Sequence, residues 1–306
     1  MLTLPAGVRV LERGWLSSNN ILLRDATGFT LVDSGYGAHV PKTLALLEGA
    51  LAGAPLEWLV NTHCHSDHMG GNAAIARRYG CRTSIPAGEA PLIDAWDESG
   101  LVLAYADQRA ERFRYDDAFA PGEVLQMGEL DWQVLAAPGH DMHAAMFHAP
   151  EARVLISGDA LWENGFGVIF PALFGREEAF RETRATLDAI AALNVKAVIP
   201  GHGRPFDDVD AALERAFRRL DGYEQDITRL ARHCVKVMLT FALLEKRALA
   251  LDGLSAYIDS VPIFGEINRR HLGMTTAALA AYLVTDLERA GAVTRTGGSL
   301  VPLVAA

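Results

Sequence analysis

The sequence predicts an α+β fold, on three observations. Short apolar runs with strand character recur over the first two hundred residues, and four of them lead into histidine or aspartate. Segments with Leu or Ala at helical spacing lie between those runs. From about Asp208 the pattern becomes almost wholly helical and closes on two short strand-like runs.

Composition narrows the class. The chain has 306 residues, half of them hydrophobic and 22% charged, which is a globular balance. That length predicts one large domain with a small appendage. The opening, MLTLPAGVRVLERGW, has no basic segment followed by an apolar run, so no signal peptide is expected. No window approaches the roughly 18 apolar residues of a membrane span. The three cysteines, Cys64, Cys81 and Cys234, imply no disulfide framework, and a cytoplasmic location is expected. A net charge of −10 argues against nucleic acid as a partner.

In chain order, Val8 to Val32 alternates apolar and polar residues around RDATG and predicts antiparallel strands. VPKTLALLEGALAG predicts a helix with a glycine stop, and LEWLV a strand leading into NTHCHSDHMGGN. NAAIARRYG predicts a helix closed by Gly80. Three later runs stop at polar turns: WQVLAAPGH at His140, RVLISGDA at Asp159 and KAVIPGHG at His202. EEAFRETRATLDAIAAL, between the last two, is an amphipathic helix. Strand ends at one rim of a sheet are where a rigid scaffold holds converging loops.

His63 and His65 are two apart, which on extended backbone sends both rings to one side and Cys64 to the other, as a small buried hydrophobe. Asp67 and His68 fall where the chain turns into the next helix, and Gly70 and Gly71 permit close backbone approach there.

THCHSDH resembles the HxHxDH signature of the metallo-β-lactamase superfamily, and His140, Asp159 and His202 resemble its further ligands in order and spacing. The resemblance covers roughly residues 8–206. It implies an αββα sandwich at residues 1–207, followed by a helical linker and winged-helix-like domain at 208–306. It also implies that His63, His65 and His140 bind one metal, that Asp67, His68 and His202 bind a second, and that Asp159 bridges them. Two Zn²⁺ are expected, since imidazole and carboxylate ligands with open positions suit catalytic zinc. Di-iron relatives typically carry Glu where this chain has His65; iron or manganese remain alternative loadings. Asp33, in VDSG, resembles the aspartate that supports the site without binding metal. PGHDMH departs from the common PGHTxxH pattern, because Asp141 replaces Thr or Ser and His143 follows His140 by three residues; His143 is read as a solvated or supporting residue. His39, His148, His233 and His271 lack partners in sequence and are read as surface or core residues.

The implied function is hydrolysis of a thioester or other acyl ester, a small-molecule substrate, by a hydroxide held between the metals, with Asp67 as the catalytic group that orients it. The enzyme alternatives are an endoribonuclease and a lactonase; a weakly catalytic ligand-binding regulator is the non-enzyme one. The THCHSDHMGGN region resembles glyoxalase II, whereas its glutathione-binding helices are not recognisable here. LWENGFGVIFPALFG places Trp162, Phe166, Phe170 and Phe174 behind Asp159, either as the wall of an acyl pocket or as core. From Thr228 onward nine Lys or Arg face six acids, an excess too small for a dedicated nucleic-acid binder. The tail is therefore expected to cover one side of the active-site mouth or to form a homodimer contact.

Overall fold

The computed structural model describes residues 2–303. β1 (Val8–Leu11), β2 (Asn20–Arg24) and β3 (Phe29–Val32) form an antiparallel meander. Its second turn is closed by Asp25, whose Oδ1 accepts from the backbone of Thr27 and Gly28. α1 (Val40–Leu51) has Pro41 in its first turn and ends at Ala52 in a left-handed conformation, one residue before Gly53. β4 (Leu56–Val60) then runs parallel to β3. A single turn, α2 (Ser66–Met69), precedes α3 (Asn72–Tyr79), which Gly80 closes at φ 66°. β5 (Arg82–Pro86), α4 (Ala90–Ala95) and β6 (Asp117–Phe119) complete a six-stranded sheet ordered β1-β2-β3-β4-β5-β6.

The second sheet begins with the antiparallel strands β7 (Val124–Met127), β8 (Leu130–Ala136), β9 (Ala145–Ala149) and β10 (Val154–Gly158). α5 (Phe170–Leu173) and α6 (Glu178–Ala192) lead to β11 (Ala197–Pro200), parallel to β10. Alternation along the strands builds the layers. Ile21 and Leu23 of β2 face the second sheet, packing with Trp132, Phe147 and Ile156, whereas Leu22 joins the cluster that holds Leu47 of α1 and Ile75 of α3. On the far side, Leu155 and Val198 share a cluster with Leu187 and Ile190 of α6. The result is an αββα sandwich.

The tail starts with α7 (Val209–Gln225) and α8 (Ile227–Lys246), capped by Asp208 and Asp226, which accept from Ala211 N and Thr228 N. β12 (Leu249–Ala250), α9 (Leu254–Ser260), α10 (Pro262–Ile267) and α11 (Thr276–Arg289) follow, with Thr275 capping α11. β13 (Val293–Thr296) and β14 (Ser299–Pro302) pair around Gly297 and Gly298, and β12 adds to β14 as a third strand. The apolar cluster outside the second sheet runs through Leu220 and Leu239 into Phe264, Leu283 and Leu300 of the tail. Among the described residues no helix is long and apolar enough to cross a membrane.

The rims of the two sheets are tied by Asn19. Its N–H donates to Gly201 O at 2.7 Å, and its Nδ2 donates to Pro200 O at 2.9 Å and Gly203 O at 2.8 Å. Its Oδ1 accepts from Arg13 N at 3.0 Å. Asn19→Ala keeps the backbone bond to Gly201 but removes the side-chain partner of buried Pro200 O and Arg13 N, and should lower stability by roughly 2–4 kcal/mol in urea unfolding; a loss below about 0.5 kcal/mol would show that the rims are held elsewhere.

Candidate metal centre

β4 ends at Val60, and Asn61 to His65 continue across the rim as a buried irregular segment that bends at Thr62 and His65. His65 is the residue before α2, whose one turn brings Asp67 and His68 back over the site. Both following glycines are required by close approach. A Cβ on Gly70 would overlap the Gly37 and Ser66 backbone, and one on Gly71 would overlap Ser34 O. Asp159 follows the last residue of β10, and His202 lies two residues beyond β11. Gly201 has no room for a Cβ, because Asp159 and the His68 ring occupy that space.

The seven residues converge. His65 Nδ1 lies 2.8 Å from His140 Nε2, and the His63 ring packs edge-on to both, at centroid separations of 4.7 and 5.2 Å. On the other side His202 Nε2 is 3.0 Å from Asp67 Oδ2, and His68 Nε2 is 3.9 Å from the same oxygen. Asp159 stands between the groups, with Oδ1 3.4 Å from His68 Nε2 and Oδ2 3.5 Å from His140 Nε2. Three sets of donor atoms lie within 4.8 Å of one another: His63, His65 and His140; Asp67, His68 and His202; and His63, His68 and Asp159. His63 Nε2 and His68 Nε2 are buried with no hydrogen-bond partner. Orphaned imidazole nitrogens beside a carboxylate fit divalent-metal ligation, which supplies the missing partner.

Electrostatics follow from the crowding. Burial pushes His63 well below the ordinary imidazole range, and His68 and His65 push it further down. His68 goes the other way: against the cost of burial, Asp159, Asp33 and Asp67 raise it well above that range. Asp159 and Asp67, although desolvated, are held low by these histidines and are carboxylates at neutral pH.

The surrounding shell orients the rings. Asp33 Oδ2 accepts from His68 Nδ1 at 2.8 Å and from Thr62 Oγ1 at 2.9 Å, while its Oδ1 accepts from Thr62 N at 2.9 Å. His140 Nδ1 donates to Val168 O at 2.6 Å. Trp162 Nε1 donates to Asp159 Oδ1 at 3.2 Å, so this indole holds a candidate ligand as well as lining the cavity. Cys64 is buried among Met69, Ile85 and Leu103, away from the site. His143 is exposed and packs on Gly88. The residue beside His65 is instead Asp141, whose Oδ2 lies 3.6 Å from His65 Nε2.

A cavity of about 400 Å³ opens over these groups. Trp162 and Phe170 line it; Phe166 does not, being buried against Tyr223 at 6.3 Å between ring centroids. Phe174 packs on Tyr105, outside this cavity. Sequence reasoning missed Trp15, and it expected the tail over the mouth without naming its residues. Trp15, 47% exposed, stacks on His202 at 5.7 Å with an interplanar angle of 11°. From α8 come His233, Val237, Met238 and Phe241, so His233 belongs to the cavity wall and the tail covers one side of it. Only the i, i+4, i+8 spacing of His233, Val237 and Phe241 marked that face, and it marks core equally well.

A family model described as the metallo-beta-lactamase superfamily matches residues 13–202, and the chain belongs to that superfamily. It is 28% identical over 224 residues to a beta-lactamase-like protein 2 homolog of Caenorhabditis elegans, covering 72% of this chain and 65% of that protein. It is 26% identical to a hydroxyacylglutathione hydrolase of Rhodopseudomonas palustris (strain ATCC BAA-98 / CGA009), over 56% of this chain and 58% of that one. The chain thus spans between 58% and 65% of the length of these two relatives. The crystal structure of a beta-lactamase domain protein from Burkholderia ambifaria shares the fold, with a TM-score of 0.60 at 22% identity over 98% of this chain and 94% of that one.

Asp33→Ala frees the His68 ring and should weaken zinc affinity 10- to 100-fold, as loss of a carboxylate behind a metal-binding imidazole does elsewhere. Competition with a chromophoric chelator measures it, and unchanged affinity would remove Asp33 from the site.

Proposed function

We propose that this metallo-β-lactamase superfamily member is a two-zinc hydrolase that cleaves a thioester or another acyl ester. The observation that carries the reading is the pair of donor sets facing each other across Asp159, at the floor of a largely apolar cavity. In it His63, His65 and His140 would hold one ion and Asp67, His68 and His202 the other, with Asp159 between the two sets. When bound, the ions supply Lewis acidity and a water acidified enough to react near neutral pH.

The chain's own residues do the rest. Asp67, a carboxylate on the cavity surface, accepts a hydrogen bond from the attacking water, fixes its direction, takes a proton from it as the oxygen bonds to the carbonyl carbon, and returns that proton to the leaving group as the acyl bond breaks. His68 and His202 keep Asp67 ionised, and Asp33 keeps His68 in place. Phe170, 5.7 Å from the His65 ring and 5.6 Å from that of His140, excludes water from one side and offers an apolar surface to an acyl chain. The relatives named hydroxyacylglutathione hydrolase support a thioester substrate over RNA, as does the apolar wall from α8. Three strands packed with the tail helices support the reading of residues 208–306 as a helical linker and winged-helix-like domain, in which α7 and α8, rather than the strands, line the cavity.

Protein purified without chelators should carry close to two metal ions per chain by elemental analysis, zinc predominating over iron and manganese. Absence of metal, with no uptake from added zinc, overturns the metal assignment. The zinc-loaded protein should hydrolyse thioesters or acyl esters when assayed beside lactones, β-lactams and RNA; RNA cleavage alone would assign it to phosphodiesters. Asp67→Asn should lower kcat at least ~100-fold, with metal content followed in parallel. Near-full activity with both ions bound would exclude the role given to Asp67.

A further inference from the structure

We infer, resting on the acyl-ester reading above, that the substrate carries an anionic group at the end remote from the scissile carbonyl, bound by Arg219 with His233 beside it. α8 lays His233, Val237, Met238 and Phe241 along the cavity. At 1.5 Å per residue, from His233 to Phe241 this is a wall about 12 Å long. Its middle is aliphatic and its His233 end is polar. There the His233 ring stacks on Tyr223 of α7, at 6.2 Å and 25°. Arg219 stands one helical turn before Tyr223 and lines the same cavity.

The loop after Asp159 is shaped around that guanidinium. Trp162 and Gly165 pair through their backbones, with Trp162 N donating to Gly165 O at 2.6 Å. Gly165 has φ 128°, and a Cβ there would overlap the Arg219 guanidinium. A single short loop therefore runs from Asp159, among the metal-binding groups, to Arg219.

Of the two arginines that line the cavity, Arg204 is paired with Glu12, at 3.5 Å, and Arg219 is not paired with an acid. Arg184, facing the same helix, is paired with Asp221 and Glu224, and Arg218 is paired with Glu214. Among the described residues no carboxylate lies within 4 Å of the Arg219 guanidinium. Burial, with Arg219 and Lys236 nearby, pushes His233 down to about 4, so at neutral pH it is an uncharged imidazole able to donate one hydrogen bond. A half-buried, unpaired cation facing a mostly apolar cavity is stabilised when the ligand brings the anion, and a guanidinium binds a carboxylate in two-pronged fashion. The site thus fits a short-chain acyl ester or thioester with a terminal carboxylate. A phosphate shares the required oxygens and is distinguished below.

The test compares thioesters of one thiol with glutarate and with pentanoate, on zinc-loaded protein. The native protein should favour the glutaryl substrate at least ~10-fold in kcat/KM, the effect of a charged hydrogen-bonded contact. Arg219→Met should erase the preference by lowering kcat/KM for the glutaryl substrate at least ~10-fold more than for the pentanoyl one, with metal content followed in parallel, and Arg219→Lys should restore part of it. Binding is read separately, by quenching of tryptophan fluorescence (Trp15 and Trp162 line the cavity) on adding glutarate, pentanoate or pentyl phosphate. Tighter binding of glutarate than pentanoate, lost in Arg219→Met, supports the anion site even if no thioester is cleaved, in which case the hydrolase reading alone falls. Pentyl phosphate binding tighter than glutarate, again through Arg219, keeps the site and makes its anion a phosphate. Equal handling of glutarate and pentanoate in both assays, with no gain for pentyl phosphate, overturns the inference. So does a preference that Arg219→Met leaves intact.

Discussion

Asp33 stands just past the end of β3 in a left-handed backbone conformation, at φ 58°, and is almost wholly buried. Its carboxylate receives the Thr62 amide, the Thr62 hydroxyl and the His68 ring. A non-glycine residue held there costs about 1 kcal/mol or more, and a buried carboxylate costs further unless fully paired. Both costs are offset because one side chain fixes the segment leaving β4 and the turn that returns over it. Without it, His63 and His68 would have no fixed separation and the donor sets no fixed geometry.

The same rim depends on backbones meeting at distances that only glycine permits. Gly70 and Gly71 let α2 press against the loop after β3, and Gly201 lets β11 deliver His202 beside Asp159. Such approaches need rigid neighbours, and the layer between the sheets provides them, with Trp132, Phe147 and Ile156 all essentially inaccessible to solvent. Precision at the site is thus inherited from packing beneath it.

The tail turns an open rim into a cavity. α7 and α8 pack on the outside of the second sheet through a continuous apolar cluster, which leaves one face of α8 free to overhang the candidate ligands. The candidate ligands and the α8 part of the cavity wall therefore reside in different stretches of chain, while Trp162 and Phe170 both line the cavity and touch candidate ligands.

The sequence by itself determined the fold class, the strands and helices that carry the site, and the identity of the seven candidate ligands. It could do so because ligand chemistry demands particular side chains, and strand ends and glycine turns are local signals. It offered Trp162 and Phe170 as a pocket wall but could not separate them from Phe166, which turns into the core beside Tyr223. It read His233 as a bystander, noted Asp141 only as a departure from the common pattern, and passed over Trp15 and Arg219. Those roles depend on neighbours far along the chain: Trp15 meets His202, and Arg219 meets the loop at Gly165. Periodicity reports which face of an element is apolar, not what lies opposite it. Only the packing of α7 and α8 against the sandwich decided which of their residues face the candidate ligands and which are simply buried.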